Sequence, residues 1–180
     1  RGAIVAALGI FDQGFYDRMG FGTGSYILRT AFDPAQLKAS TRPRIPVRLS
    51  ADDWMEAHAA KLARRHTHGC CNLLPPGVTR GEMSEAGRSF GLGYRDADGQ
   101  LTHYVWCYTR EVSHGPYDVE VVFREPEQFL ELMSLLGGLA DQVHLVRMRE
   151  PAGIQLQDLL TWPFRHQNVT RQGKFEVKTT

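Results

Sequence analysis

Apolar positions along the chain fall into short runs with two different periods, and the switches between them predict the elements. Residues 3–11 are apolar almost throughout and read as a buried strand. Gly14-Phe15-Tyr16-Asp17-Arg18-Met19-Gly20-Phe21 follows as one short amphipathic helical turn, closed by Gly20 where a left-handed C-cap is wanted. A second strand is expected over 25–32, then a loop opening at Asp33-Pro34. The two prolines of Arg42-Pro43-Arg44-Ile45-Pro46 favour extended backbone and remove amide donors, so this stretch reads as a linker and places a boundary near residue 45.

Ser50 and Asp53 have the spacing of a capping box, which starts a helix running to about Arg65 with Trp54, Met55, His58 and Leu62 on one face. Residues 66–87 carry many Gly and Pro without sustained periodicity and are expected to be loop with at most a turn of helix. Strands at 90–94 and 101–109 flank the turn Asp96-Ala97-Asp98-Gly99, and 117–123 gives a third. Pro126 suits a first helical turn, after which Phe129, Met133, Leu136, Ala140 and Val143 trace a helical face. A fourth strand is expected at 144–148, a short strand or helix at 156–160, and strand-like alternation at 174–178. This order predicts an α+β fold with a mixed, largely antiparallel sheet flanked by helices. The expected organisation is a C-terminal part of one domain over 1–45, a second domain over 46–162, and a linker or the start of another domain over 163–180.

With 180 residues and a formal net charge of +1, neither sign is in excess, which argues against nucleic acid or an anionic membrane as partner. The charge is uneven: residues 1–69 carry ten Lys or Arg against six Asp or Glu, and 81–160 carry six against thirteen. Three cysteines, two of them adjacent, do not form a secreted-type disulfide framework. No apolar run approaches the roughly 20 residues of a membrane span, and no signal-peptide pattern opens the chain, so a cytoplasmic setting is expected. The chain starts in a strand-like run without an initiator methionine, which suggests a piece of a longer protein.

The stretch from Gly14 to Phe21 resembles the Gly-Phe-Tyr-x-x-x-Gly-Phe element of the GNAT superfamily, and within it the acyltransferases of the enhanced-intracellular-survival type. The likeness covers roughly residues 3–160. It is specific in the first part and rests on element order and hydrophobic spacing in the second. It implies the end of a first GNAT domain followed by a second GNAT-like domain, and an acetyl-CoA-dependent N-acetyltransferase acting on a small-molecule or protein amine, aminoglycoside-like or lysine. By the same resemblance Tyr16 is the general acid that protonates departing coenzyme A, acetyl-CoA is the co-substrate, and the protein is a homo-oligomer. An ordinary phenol, with a pKa near 10, stays protonated at neutral pH and can give its proton to a thiolate. Asp12, Gly14 and Phe15 are the other candidates at the cofactor's thiol end, Asp12 doubling as an N-cap. The alternative from another class is a non-catalytic GNAT-like scaffold or interaction domain.

By the same resemblance, the family's phosphate-binding loop, Gln/Arg-x-x-Gly-x-Gly/Ala, is expected ahead of the strand at 3–11 and so before residue 1. Gly20-Phe21-Gly22-Thr23-Gly24 is glycine-rich but follows a helix instead of opening one after a strand, so it reads as a flexible turn. His66, His68, Cys70 and Cys71 offer metal-ligand chemistry, but zinc sites draw their ligands as separated pairs and no metal is expected. Tyr104, Trp106 and Tyr108 alternate onto one strand face, with His103, Val105 and Cys107 on the other; packing is the favoured reading over a stacking platform for bases.

Overall fold

The computed structural model describes residues 5–8, 13–22, 27–38, 42–64, 75–85, 88–109, 116–162, 166–170 and 176–179. In chain order these form β1 (Val5–Leu8), α1 (Gln13–Asp17), β2 (Ile27–Phe32), β3 (Val47–Leu49), α2 (Trp54–Leu62), α3 (Pro76–Ser84), β4 (Arg88–Arg95), β5 (Leu101–Thr109), β6 (Tyr117–Val122), α4 (Pro126–Gly137), β7 (Val146–Arg149), β8 (His166–Thr170) and β9 (Glu176–Thr179). Single 3-10 turns lie at Pro34–Gln36, Ala51–Asp53 and Leu156–Leu159. The chain divides into two compact units: residues 1–29 with 167–180, and residues 30–166.

In the smaller unit β1 pairs antiparallel with β9, Val5 opposite Thr179 and Leu8 opposite Glu176. In the larger unit the strand order is β3-β4-β5-β6-β7, continuing to β2, whose residues from Thr30 onward belong here. β3 to β6 are antiparallel neighbours and β7 runs parallel to β6. A parallel step needs a crossover, and α4 supplies it. The architecture is therefore the expected one, a mixed and mostly antiparallel sheet flanked by helices.

The period-2 alternation of β5 decides where the core goes. Tyr104 and Trp106 pack with Leu49, Ala57, Ala60 and Met83, and Tyr108 joins them at the margin. Val105 and Cys107 face the other way, onto Phe129, Leu132, Met133 and Leu136 of α4. A fully buried leucine such as Leu132 contributes roughly 1.5–3 kcal/mol over an exposed one. The hairpin turn forms as expected: Asp96 Oδ1 accepts from the amides of Asp98 and Gln100 at 3.0 and 2.9 Å, and Gly99 takes φ +79°.

Four local expectations are corrected. The capping box at Ser50 is present, Ser50 N donating to Asp53 Oδ2 at 2.7 Å, but it opens a 3-10 turn and α2 stops at Leu62. The face α2 buries is that of Ala57, Ala60 and Lys61, with Trp54 partly buried against the same core, while Met55 and Leu62 stay exposed; the two alanines lie where the large rings of Tyr104 and Trp106 fill the space. Within the region read as loop, residues 76–84 form the nine-residue helix α3. Its Pro and Gly content hides it locally, and tertiary contacts hold it: Thr79 and Met83 are buried, His58 Nδ1 meets Thr79 Oγ1 at 2.9 Å, and Lys61 Nζ donates to Glu82 at 2.9 Å. Val143 is buried as expected but lies beyond α4, which ends at Gly137.

Candidate functional site

Tyr16 sits in α1, a helix too short to hold itself, and its C-terminus shows how it is fixed. Gly20 takes φ +79°, its amide donates to the Asp17 carbonyl at 3.0 Å, and the Phe21 amide reaches back to the Tyr16 carbonyl at 3.3 Å. Those two bonds and a left-handed glycine are a Schellman closure. Its usual apolar contact is present as well, the Tyr16 and Phe21 rings meeting edge to face at 6.0 Å. Phe15 packs edge-on against Tyr16 at 5.3 Å and is itself 44% exposed, while Tyr16 is half-buried. The Gly-x-x-x-x-x-Gly-Phe spacing thus does mechanical work: it holds one phenol between two rings.

Of the other sequence candidates, Gly14 lies in the first turn of α1, and Asp12 lies outside the described residues. His66, His68, Cys70 and Cys71 also lie outside them. Among the described residues no three His, Cys, Asp or Glu side chains converge as a metal site requires. Cys107 is fully buried and its thiol is pushed up to about 12 by burial, which makes it a poor nucleophile. The aromatic face of β5 is core, with Tyr104 and Trp106 nearly inaccessible, so no base could stack there. No helix among the described residues is long and apolar enough to cross a membrane.

Sequence reasoning missed two clusters of charge in the larger unit. Lys61, 9% exposed at its side chain, lies between Glu82 at 2.9 Å and Glu120 at 3.1 Å. Burial lowers its pKa, but the two carboxylates outweigh burial and hold the ammonium above its ordinary value. On the opposite face of the sheet, Arg44 Nε and Nη2 donate to the two oxygens of Glu131 at 2.7 and 2.9 Å, and His103 Nε2 lies 3.0 Å from Glu131 Oε2. The Arg44 bond, with a smaller contribution from His103, holds the Glu131 carboxyl down at about 2. No sequence signal could have found these groups, because 44, 103 and 131 meet only through the fold.

No family model matches the sequence, and no curated protein matches it. Solved structures do match its fold. A conserved Enterococcus faecalis V583 protein described as a probable N-acyltransferase superposes on 98% of this chain with TM-score 0.79 and 16% identity, the match covering 45% of its own length. A GCN5-related N-acetyltransferase from Kribbella flavida matches 99% of the chain with TM-score 0.70 and 17% identity, over 43% of its length. Eis1 from Mycobacterium abscessus matches 99% with TM-score 0.71 and 18% identity, over 48% of its length. The fold is that of GCN5-related N-acetyltransferases, and this chain spans less than half the length of those proteins.

Such folds imply coenzyme A, and the described residues fit its two ends unequally. Tyr16 in α1 is the phenol that the sequence resemblance assigns to the thiol end. The pyrophosphate needs free amides at a helix N-terminus, and the helices of the larger unit do not offer them. Ahead of α2 the Ser50 and Asp53 side chains occupy the first turn, with Asp52 and Glu56 beside them. α4 is capped by Glu125 and Gln128, with Glu127 adjacent, and α3 opens on Pro75-Pro76, which lacks two donors.

Proposed function

We propose that this chain is part of an acetyl-CoA-dependent N-acetyltransferase of the enhanced-intracellular-survival type, acting on an aminoglycoside-like or lysine amine. The observation that carries the reading is the likeness of nearly the whole chain to N-acyltransferase and N-acetyltransferase structures, with α1 holding Tyr16 on a closed turn. Residues 1–45 are then the end of a first GNAT domain, 46–162 a second, and 163–180 a linker or the start of a following domain. An attacking amine forms the new C–N bond and the thioester C–S bond breaks; Tyr16 gives its phenolic proton to the departing sulfur, and the proton lost by the amine nitrogen as it becomes an amide restores the phenol by way of solvent. Asp12, Gly14 and Phe15 are assigned to the thiol end of the donor. The protein is taken to be a cytoplasmic homo-oligomer.

The capped and acidic N-termini of α2 and α4 favour a second reading for the larger unit alone: it serves as scaffold, with the phosphate cradle elsewhere in a longer protein. Calorimetric titration with acetyl-CoA separates the two. Binding by a chain extended upstream, and not by these 180 residues, is the expected result; binding by neither leaves only the scaffold. Tyr16→Phe in the longer protein should slow acetyl transfer about 10²-fold or more at saturating donor. Unchanged turnover removes Tyr16 as the acid.

A further inference from the structure

The Arg44, Glu131 and His103 cluster lies wholly within the larger unit and has no part in the proposed acetyl transfer. His103, on β5, is 3% exposed at its side chain, Glu131, on α4, is 19% exposed, and Arg44, on the extended residues 42–46, is 59% exposed. From β4, Tyr94 stacks on the His103 ring at 4.9 Å, carries the Arg44 guanidinium 4.9 Å from its own ring centroid, and donates its hydroxyl to the Arg44 carbonyl at 3.2 Å. Thr102 completes the set, its Oγ1 2.8 Å from His103 Nδ1 and 3.1 Å from the Tyr94 carbonyl. Among the described residues, Glu131 and Arg44 are the charged groups that act on His103.

Hydrogen-bond bookkeeping over these atoms allows two proton states with the same heavy-atom positions. With neutral His103, Nε2–H donates to Glu131 and Nδ1 accepts from the Thr102 hydroxyl. With imidazolium, both ring N–H groups donate, to Glu131 and to Thr102 Oγ1, and the Thr102 hydroxyl turns to the Tyr94 carbonyl. The second state gains a hydrogen bond, but it changes the charge of the cluster from zero to plus one in a half-buried place. The added positive charge weakens the hold of the shared carboxylate on each cation. Arg44 is the one water can take, since its side chain is more than half exposed while His103 is enclosed.

We infer that His103, Glu131 and Arg44 form an acid-released clasp, which ties residues 42–46 to α4 while His103 is neutral and frees them when it takes a proton. The freed strap is stiff, with Pro43 and Pro46 holding it extended. Burial keeps His103 below its ordinary value against the pull of Glu131, so the clasp is closed at neutral pH and opens as acid protonates the ring.

Trypsin reads the clasp directly, because it must take the Arg44 side chain into its own pocket to cut Arg44–Ile45, and it does not cut Arg42–Pro43. Cleavage after Arg44 in the 180-residue chain, normalised to a small arginine substrate in the same buffer, should rise at least tenfold between pH 7.5 and a pH one unit below the His103 midpoint read by nitrogen NMR. His103→Gln keeps a donor and an acceptor but takes no proton, and should stay slow at both pH values; Glu131→Gln should be fast at both. A flat wild-type profile overturns the clasp, as does a wild-type rise retained in His103→Gln or slow cleavage of Glu131→Gln at neutral pH. Should the variants fail to fold, nitrogen NMR of the wild type decides: the His103 ring and Arg44 Nε–H must change with one midpoint, and separate midpoints overturn the proposal.

Discussion

The two faces of the larger unit's sheet solve one packing problem in opposite ways. On the α2 and α3 side the strand provides the bulk, Tyr104 and Trp106, and the helix gives way with Ala57 and Ala60, both fully buried. On the α4 side the strand contributes Val105 and Cys107 while the helix supplies Phe129, Leu132, Met133 and Leu136. The source of the bulk is exchanged between strand and helix from one face to the other. Each face also encloses a basic side chain. Lys61 stays charged because two carboxylates that are more than a third exposed hold it; His103, its pKa lowered by burial, is neutral at pH 7 and takes a proton only in acid.

Truncation of the bulk on each side should break the comparison most severely. Trp106→Ala is expected to cost about 3–5 kcal/mol and Leu132→Ala about 2–5 kcal/mol in urea unfolding, since each side chain is enclosed and its neighbours can collapse only in part. A loss under 1 kcal/mol for either would mean that the face is not packed as described. The charges come next. Glu82→Gln combined with Glu120→Gln leaves the Lys61 ammonium enclosed and unpaired and should cost about 3 kcal/mol. Lys61→Met should cost less than 1 kcal/mol, because both carboxylates are exposed enough to be hydrated again.

How far the sequence disclosed this arrangement depended on whether the signal was local. The hairpin of β4 and β5 was legible from Asp96-Ala97-Asp98-Gly99, and α4 from Pro126 and its apolar spacing, because turn chemistry and period act within a few residues. The α1 closure was legible too, since Gly20 announces a left-handed residue and takes one. β3 and α3 were not, the first being three residues beside a proline pair and the second being held by Thr79, Met83 and Glu82 against its own propensities. The choice of buried face on α2 was misread in part for the same reason: Trp54 does pack against the core, but Met55 and Leu62 stay exposed and the sheet buries Ala57 and Ala60. Of the candidate site, the residue type and closure at Tyr16 could be read, while the charge clusters at Lys61 and His103 join residues far apart in sequence.

A smaller change tests the exchange of volume itself. A Cβ on Gly91 would stand 2.7 Å from Trp106 Cε3 and 2.8 Å from Leu49 Cβ, and neither neighbour is a flexible chain end. Gly91→Ala is therefore expected to cost about 1–3 kcal/mol by overpacking, although alanine is ordinarily the better residue in a regular element. Gly77→Ala, in α3 with open space around it, should be neutral or stabilising by up to about 1 kcal/mol. Equal effects at the two glycines would show that conformational freedom, and not the close approach of the indole, accounts for Gly91.

The smallest effect separates the faces by pH. His103 has its folded pKa below the unfolded value of 6.5, so the unfolded chain binds the proton first and stability falls as pH drops through 6.5 toward the folded value. Glu131 has its folded pKa at about 2 against 4.5, so a further loss runs from 4.5 down toward 2. Both groups belong to the α4 face. Above pH 10 the faces share the loss, because Tyr94 and Cys107 on one side and Tyr104, Tyr108 and Lys61 on the other all have raised values, whose stabilisation fades as pH rises. Urea midpoints between pH 7.5 and 5 should therefore decline in the wild type, decline equally in Lys61→Met, and flatten in His103→Gln. Lys61→Met flattening the acid limb, or His103→Gln leaving it intact, would place the titrating group on the wrong face.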